Sequence, residues 1–288
     1  MSHDLTPAPA YGGAVTVPDS GDPRTVDSVN PAFQKLADWS AFACSVVSSR
    51  LAWSEEIAVA PGGSNSTFSI TVGAIQAASL LRADGTYHGY SATAATLTAA
   101  NLESGSTLAN STWYYIYAHD SLGGGTVLYQ ISTTAPRASQ QYKNAGDGSQ
   151  YRYLGCFRTN SSGAPLAMRM RRGRYTYRLS SSTGDFNAYD DATARGSAYD
   201  VSLASLVPPH VRIARVQAIT TSSGADTFMS LLAKPDSAGI VWRQQAPDGT
   251  TTYGELDIET DSSQVVQLTY NVGGGSGNAK IRVAGFVE

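Results

Sequence analysis

Charge is scarce in this chain. Asp, Glu, Lys and Arg make up 15% of its 288 residues, with a formal balance of -3. That excludes the cationic surface on which nucleic-acid binding depends, so no nucleic-acid partner is expected. Long apolar runs are also lacking. None approaches the roughly 20 residues that cross a bilayer, so no membrane insertion is expected. Residues 1–10 have neither a basic flank nor an apolar centre, so they do not read as a secretory signal, and synthesis in a cytoplasm is expected. There are two cysteines, Cys44 and Cys156, far apart and in unlike contexts. In a reducing compartment they read as free buried thiols.

Sequence signals for chemistry are equally sparse. His3, His88, His119 and His210 are scattered. No pair has metal-ligand spacing and there is no Cys-x-x-Cys, so no metal or other cofactor is expected. His119-Asp120-Ser121 has the residue types of a triad, but adjacent residues in a turn cannot adopt its geometry. There is no nucleophile elbow, P-loop or dinucleotide fingerprint. Asp185, Asp190, Asp191 and Asp200 fall in or beside a predicted linker, which holds a glycosidase pair poorly and reads as a solvated acidic loop. The series Asp185, Asn187, Tyr189, Asp191 lacks the central glycine and closing glutamate of a calcium loop. No catalytic residue is assigned, and the chain is not expected to be an enzyme.

What the chain has is Ser, Thr, Gly, Ala and Tyr in abundance, the composition of many short strands joined by small polar turns. The expected fold is mainly β. It comprises an extended arm over 1–29, one short helix over 30–54, a β-domain over 55–178, a linker over 179–197 and a second β-domain over 198–288. Both domains are expected to be antiparallel and sandwich-like. In the arm, Pro7, Pro9, Pro18 and Pro23 fix φ, and few apolar groups offset the entropy of ordering. It is either a flexible tail or a segment that orders on a partner, with Val17 among its anchors. Asn30 and Pro31 are a good N-cap and first helical residue. Phe33, Leu36, Trp39 and Val47 then form a broad apolar stripe, to be buried on the β-domain or against the same helix of neighbouring subunits.

Thr112 to Ala118 is the strongest predicted strand, and Gly123-Gly124-Gly125 turns it into Thr126 to Ile131. Tyr151 to Arg158 follows, and Leu166 to Arg178 holds one or two more strands. About six strands are expected between Val211 and Val287. Arg169, Arg171, Arg172 and Arg174 form a basic run. Continuous strand alternation puts the first two on one face and the last two on the other. Subunit-interface pairing, a solvated face and glycan contact all remain open for them.

Two stretches resemble bacteriophage and prophage tail or fibre proteins. One runs from Val17-Pro18-Asp19-Ser20-Gly21-Asp22-Pro23 through Val29-Asn30-Pro31 to Leu36-Ala37-Asp38. The other joins Trp113 to Tyr117, Ile131 to Pro136, and Tyr151-Arg152-Tyr153-Leu154-Gly155-Cys156-Phe157-Arg158 with the Thr159-Asn160-Ser161-Ser162-Gly163 turn. The resemblance implies a virion structural protein, a tail fibre, spike or baseplate component. Its arm would attach to other virion proteins, its β-domains would project outward for assembly or host attachment, and its own copies would form a homotrimer. A carbohydrate-binding module recognising a host surface glycan is the alternative. A polysaccharide-degrading tailspike is a more distant one.

Overall fold

The computed structural model describes residues 2–5, 15–18, 56–81, 87–120, 126–136, 142–144, 150–178, 186–234 and 240–288. The expected helix over 30–54, with Phe33, Leu36, Trp39 and Val47, lies outside the described residues. So does Cys44.

The chain begins with β1 (Ser2–Leu5) and β2 (Val15–Pro18), then β3 (Glu56–Val59), β4 (Ile70–Val72), β5 (Ile75–Leu81), β6 (Tyr87–Ala92) and β7 (Ala95–Leu97). Next come β8 (Trp113–Asp120), β9 (Val127–Ser132), β10 (Tyr142–Asn144), β11 (Gln150–Arg158), β12 (Met168–Arg171) and β13 (Arg174–Tyr177). β14 (Asn187–Asp191), β15 (Arg195–Ser202), β16 (Ile213–Ser223), β17 (Thr227–Ala233) and β18 (Ile240–Ala246) follow. The last are β19 (Thr251–Glu259), β20 (Val265–Val272) and β21 (Ser276–Val287). The fold is mainly β and antiparallel, as the composition implies. Val17 lies in β2, which pairs with β1; this part of the predicted arm is extended but hydrogen-bonded to itself.

A nine-stranded sheet organises the body, in the order β19-β16-β21-β13-β12-β3-β4-β7, with β14 alongside β21. One four-stranded sheet, β10-β11-β8-β9, and another, β15-β20-β17-β18, complete a sandwich-like arrangement. A continuous buried cluster runs from Ile57 and Tyr117 through Tyr175 to Val216, Leu268 and Phe286. The large sheet thus draws strands from both predicted β-domains. The segment read as a linker contains β14 and part of β15. Its acidic residues serve the ladder: Asp190 pairs with Lys280 at 2.7 Å and accepts from Asn278 at 2.9 Å. A half-exposed strand of small polar residues has the composition of a loop, which is why the sequence hides it.

The seam between the two halves is β13 against β21, with Arg174 opposite Val287, Tyr175 opposite Phe286 and Thr176 opposite Gly285. Tyr175 stacks on Phe286 with ring centroids 4.2 Å apart. β21 also pairs with β16, and a register shift there leaves Ala284 as the extra residue of a bulge. A Cβ on Gly285 would lie 1.9 Å from the Tyr175 carbonyl oxygen, so only glycine lets the backbones approach this closely. Gly285→Ala is expected to cost about 1–3 kcal/mol or more by forcing the strands apart. Equilibrium denaturation would measure it, and an unchanged midpoint would disprove the close approach.

Candidate functional site

Two groups of side chains stand out, on opposite faces of the seam. The outer one is the arginine run. β12 alternates buried Met168 and Met170 with exposed Arg169 and Arg171. β13 alternates exposed Arg174 and Thr176 with buried Tyr175 and Tyr177. Between them Arg172 and Gly173 have φ of 52° and 73°. Two positive φ values in a two-residue loop are the signature of a type I′ turn. This turn sets Arg171 opposite Arg174 and Arg169 opposite Thr176. The sequence reading that placed Arg174 on the opposite face from Arg169 and Arg171 is therefore corrected. It assumed an unbroken strand, and the turn reverses the chain so that all three share the outer face.

An open groove of about 1060 Å3 runs over this face, lined by Ala58, Thr71, Arg169, Arg171, Arg172, Arg174 and Arg178 among others. Part of the charge is answered locally. Arg169 pairs with Glu56, and Arg174 Nη2 donates to Asp257 Oδ2 at 2.8 Å. The hydrogen bond from Arg169 holds the Glu56 carboxyl below its ordinary range. Arg171 and Arg178 make no hydrogen bond or ion pair with any described residue. Such forks, fixed on a rigid sheet, suit carboxylate, sulfate or phosphate groups.

The inner group was not legible as a site. It joins Tyr153 and Cys156 of β11, Tyr175 of β13, His210 before β16, and Glu288 after β21. Tyr153 and Cys156 are an odd number of residues apart and would face opposite ways on a regular strand. A bulge at Leu154 resets the alternation, since Tyr153 pairs with Tyr117 but Gly155 with Ile116. Gly155 makes room, because a Cβ there would lie 2.8 Å from the Tyr175 hydroxyl and 2.6 Å from Ile57 Cδ1. His210 sits in a loop pinned by buried Leu203, Leu206, Val207 and Val211. Tyr177 donates to the Leu206 carbonyl at 2.8 Å and Gln264 to that of Pro209 at 3.2 Å, holding the loop to the body.

The Glu288 side chain is only 7% exposed and that of His210 13%. Tyr153 donates to Glu288 Oε1, and Tyr175 donates to Oε2 at 3.0 Å. His210 Nε2 lies 2.8 Å from Oε1, and the Cys156 thiol reaches the same oxygen at 3.8 Å. The Tyr153 hydroxyl is also 3.3 Å from His210 Nε2. The Cys156 backbone N–H donates to the Tyr175 hydroxyl at 3.3 Å. Burial, and then the neighbouring Glu288 carboxylate, push the Cys156 thiol and the Tyr175 hydroxyl well up. Burial also raises Tyr153 and Tyr177, in each case with Cys156 as the next cause.

Of the residues singled out from sequence, the four arginines are brought together around the groove. Val17 is placed in β2, and the helix residues lie outside the described ones. Asp190 and Asp200 make ion pairs with Lys280 and Lys234 on different parts of the molecule. The inner cluster was missed because its members come from four separate segments. The one local hint was a glycine within the strand Tyr151 to Arg158.

No family model matches the chain, and a search of curated proteins finds no match. Among solved structures, an uncharacterized Listeria monocytogenes protein in complex with glucose, magnesium and calcium is 8% identical, with a TM-score of 0.25. The match covers 79% of this chain and 20% of that one. The insecticidal delta-endotoxin Cry8Ea1 of Bacillus thuringiensis is 7% identical, with a TM-score of 0.24, over 80% of this chain and 52% of its own. The infectious bursal disease virus VP2 subviral particle is 10% identical, with a TM-score of 0.16, over 80% of this chain and 68% of that one. The chain thus spans about a fifth and a half of the first two. Likeness at this level carries no statement about function.

The buried tyrosines predict an alkaline limit to stability. Their raised hydroxyls, including Tyr270 pushed up to about 12, keep the neutral form in the fold, against an ordinary value of 10.0. Their contribution is fully present below about pH 10. Above it the unfolded chain ionises first, and the contribution is lost as pH rises through the folded values. Tyrosinate absorbance is expected to show these groups ionising together with loss of the near-UV circular dichroism. Ionisation of all tyrosines near pH 10 in a still-folded protein would contradict the burial.

Proposed function

We propose that the chain is a non-enzymatic structural protein of a bacteriophage particle, a fibre, spike or tail-baseplate component. It assembles with its own copies as a homotrimer. Its N-terminal arm anchors it to other virion proteins, and its β-sheets project for assembly or host attachment. One observation favours a structural role: the residues behind the second resemblance to tail proteins are spent on building the fold. Gly155 admits the Tyr175 hydroxyl between the sheets. Asn160 Oδ1 accepts from the N–H groups of Ser162 at 2.9 Å and Ala164 at 3.0 Å, and Gly163 takes a φ of 79° to close the turn. Rigid antiparallel sheets suit such a role, because copies of one subunit multiply weak contacts into avidity.

The polarity of this reading can be tested directly. Removing residues 1–28 is expected to leave the near-UV circular dichroism of the β-body unchanged and to abolish incorporation into particles. Truncated protein found in particles at wild-type occupancy would show that attachment runs through the sheets instead.

A carbohydrate-binding role is the second reading, favoured by the arginine groove, where Arg171 and Arg178 make no hydrogen bond or ion pair with the described residues. It calls for an acidic sugar, since guanidinium forks match carboxylate or sulfate groups. On a glycan array the protein would then retain uronate- or sulfate-bearing glycans, and Arg171→Glu would abolish retention. Retention that ignores the charge of the sugar, or survives Arg171→Glu, rejects a groove-bound acidic glycan.

A further inference from the structure

Beyond the hydrogen bonds that it lends to the fold, the inner cluster combines residue types that can ligate a metal ion. One ligand-capable atom each from Cys156, His210 and Glu288 lies within 4.8 Å of the others. The closest approach is His210 Nε2 to Glu288 Oε1 at 2.8 Å, with Cys156 Sγ at 3.8 Å from that oxygen. A tetrahedral cation with bonds of about 2.0–2.3 Å holds its ligand atoms about 3.3–3.6 Å apart. Small side-chain adjustments therefore bring these three atoms onto one ion. We propose that Cys156, His210 and Glu288 form a binding site for a divalent transition-metal cation of the zinc class.

Charge supports the assignment. No lysine or arginine reaches Glu288 among the described residues; its partners are Tyr153, Tyr175, Cys156 and His210. A thiolate and a carboxylate together neutralise a divalent ion, so the loaded site has no net charge in a poorly solvated interior. The donor set of sulfur, imidazole nitrogen and one carboxylate oxygen suits zinc better than the all-oxygen cations. A second layer is in place. Tyr175 donates to Oε2 and Tyr153 to Oε1, which orients the carboxylate with Oε1 toward His210 and Cys156.

Loading balances as follows. The aquated cation keeps one water as its fourth ligand and sheds the rest, the Cys156 thiol releases its proton to solvent, and His210 binds through Nε2 as the neutral imidazole protonated on Nδ1. Affinity therefore rises with pH. The partial exposure of His210 places the site just below the surface, where an ion can enter. The metal would tie β11, the loop before β16 and the end of β21 together, stabilising the seam from inside.

The test uses full-length, chelator-treated protein titrated with cobalt(II). One equivalent is expected to give the intense visible bands of a tetrahedral ion and a thiolate-to-cobalt charge-transfer band, both displaced by zinc. Cys44→Ser is expected to keep both. Cys156→Ser is expected to lose the charge-transfer band, and His210→Gln to weaken binding at least about tenfold. Zinc is also expected to raise the melting temperature of the wild-type protein. A folded wild-type protein with no stoichiometric cobalt band overturns the proposal, as does a band that survives Cys156→Ser. Should near-UV circular dichroism show Cys156→Ser to be unfolded, His210→Gln decides, and unchanged cobalt affinity there overturns it.

Discussion

The short pairing of β13 with β21 is the constraint on which the rest depends. Three residue pairs join the earlier and later halves of the chain into one sheet. In the pair at one end, Gly285 opposite Thr176, a glycine allows an approach that no other residue permits. The pairing brings two strands far apart in sequence into register, a contact that is entropically costly to find and must be rewarded by what it buries. The reward is aromatic. Tyr175 and Phe286 stack across the seam, while Tyr177 and Trp113 pack edge-on against Phe286. Such ring pairs are each worth about 0.5–1.5 kcal/mol beyond the area they bury.

A sheet has two faces, and this seam uses them oppositely. Alternation sends Arg174 and Thr176 outward and Tyr175 and Tyr177 inward from the same four-residue strand. The Arg172-Gly173 turn that gathers the arginines also fixes Glu288, whose backbone N–H donates to the Gly173 carbonyl at 2.9 Å. The outer groove and the inner cluster thus share one structural cause. The outer ion pairs are exposed and screened by solvent. They orient guanidinium groups more than they stabilise the fold. The inner hydrogen bonds, shielded from water, fix one arrangement of side chains.

Much of the strand pattern was legible in the sequence, because alternation and glycine-rich turns are local signals. Trp113 to Ala118, Tyr151 to Arg158 and most strands from Val211 onward lie where aromatic and β-branched runs place them. What escaped was non-local or a matter of exact turn chemistry. β14 hides in a polar stretch because its partner, β21, supplies what it pairs with. The arginines were divided between faces because two positive φ values at Arg172 and Gly173 are not visible in a run of basic residues. Cys156, His210 and Glu288 are each unremarkable in their own neighbourhoods. A bulge at Leu154, a proline-braced loop and a bulge at Ala284 bring them together, and no spacing rule encodes that.

The inner cluster also bears on why the seam has a single register. An apolar replacement of a buried charged group is often no less stable, so a buried carboxylate with four polar partners is better explained by specificity than by strength. Sliding β21 by one residue against β13 would turn Phe286 outward and carry Glu288 away from Tyr153, Tyr175 and His210. A carboxylate stranded in the interior without donors costs several kcal/mol, far more than an imperfect apolar contact. Glu288 therefore penalises the wrong register more than it rewards the right one. The arginine face inherits that precision, since its spacing is set by the same strands.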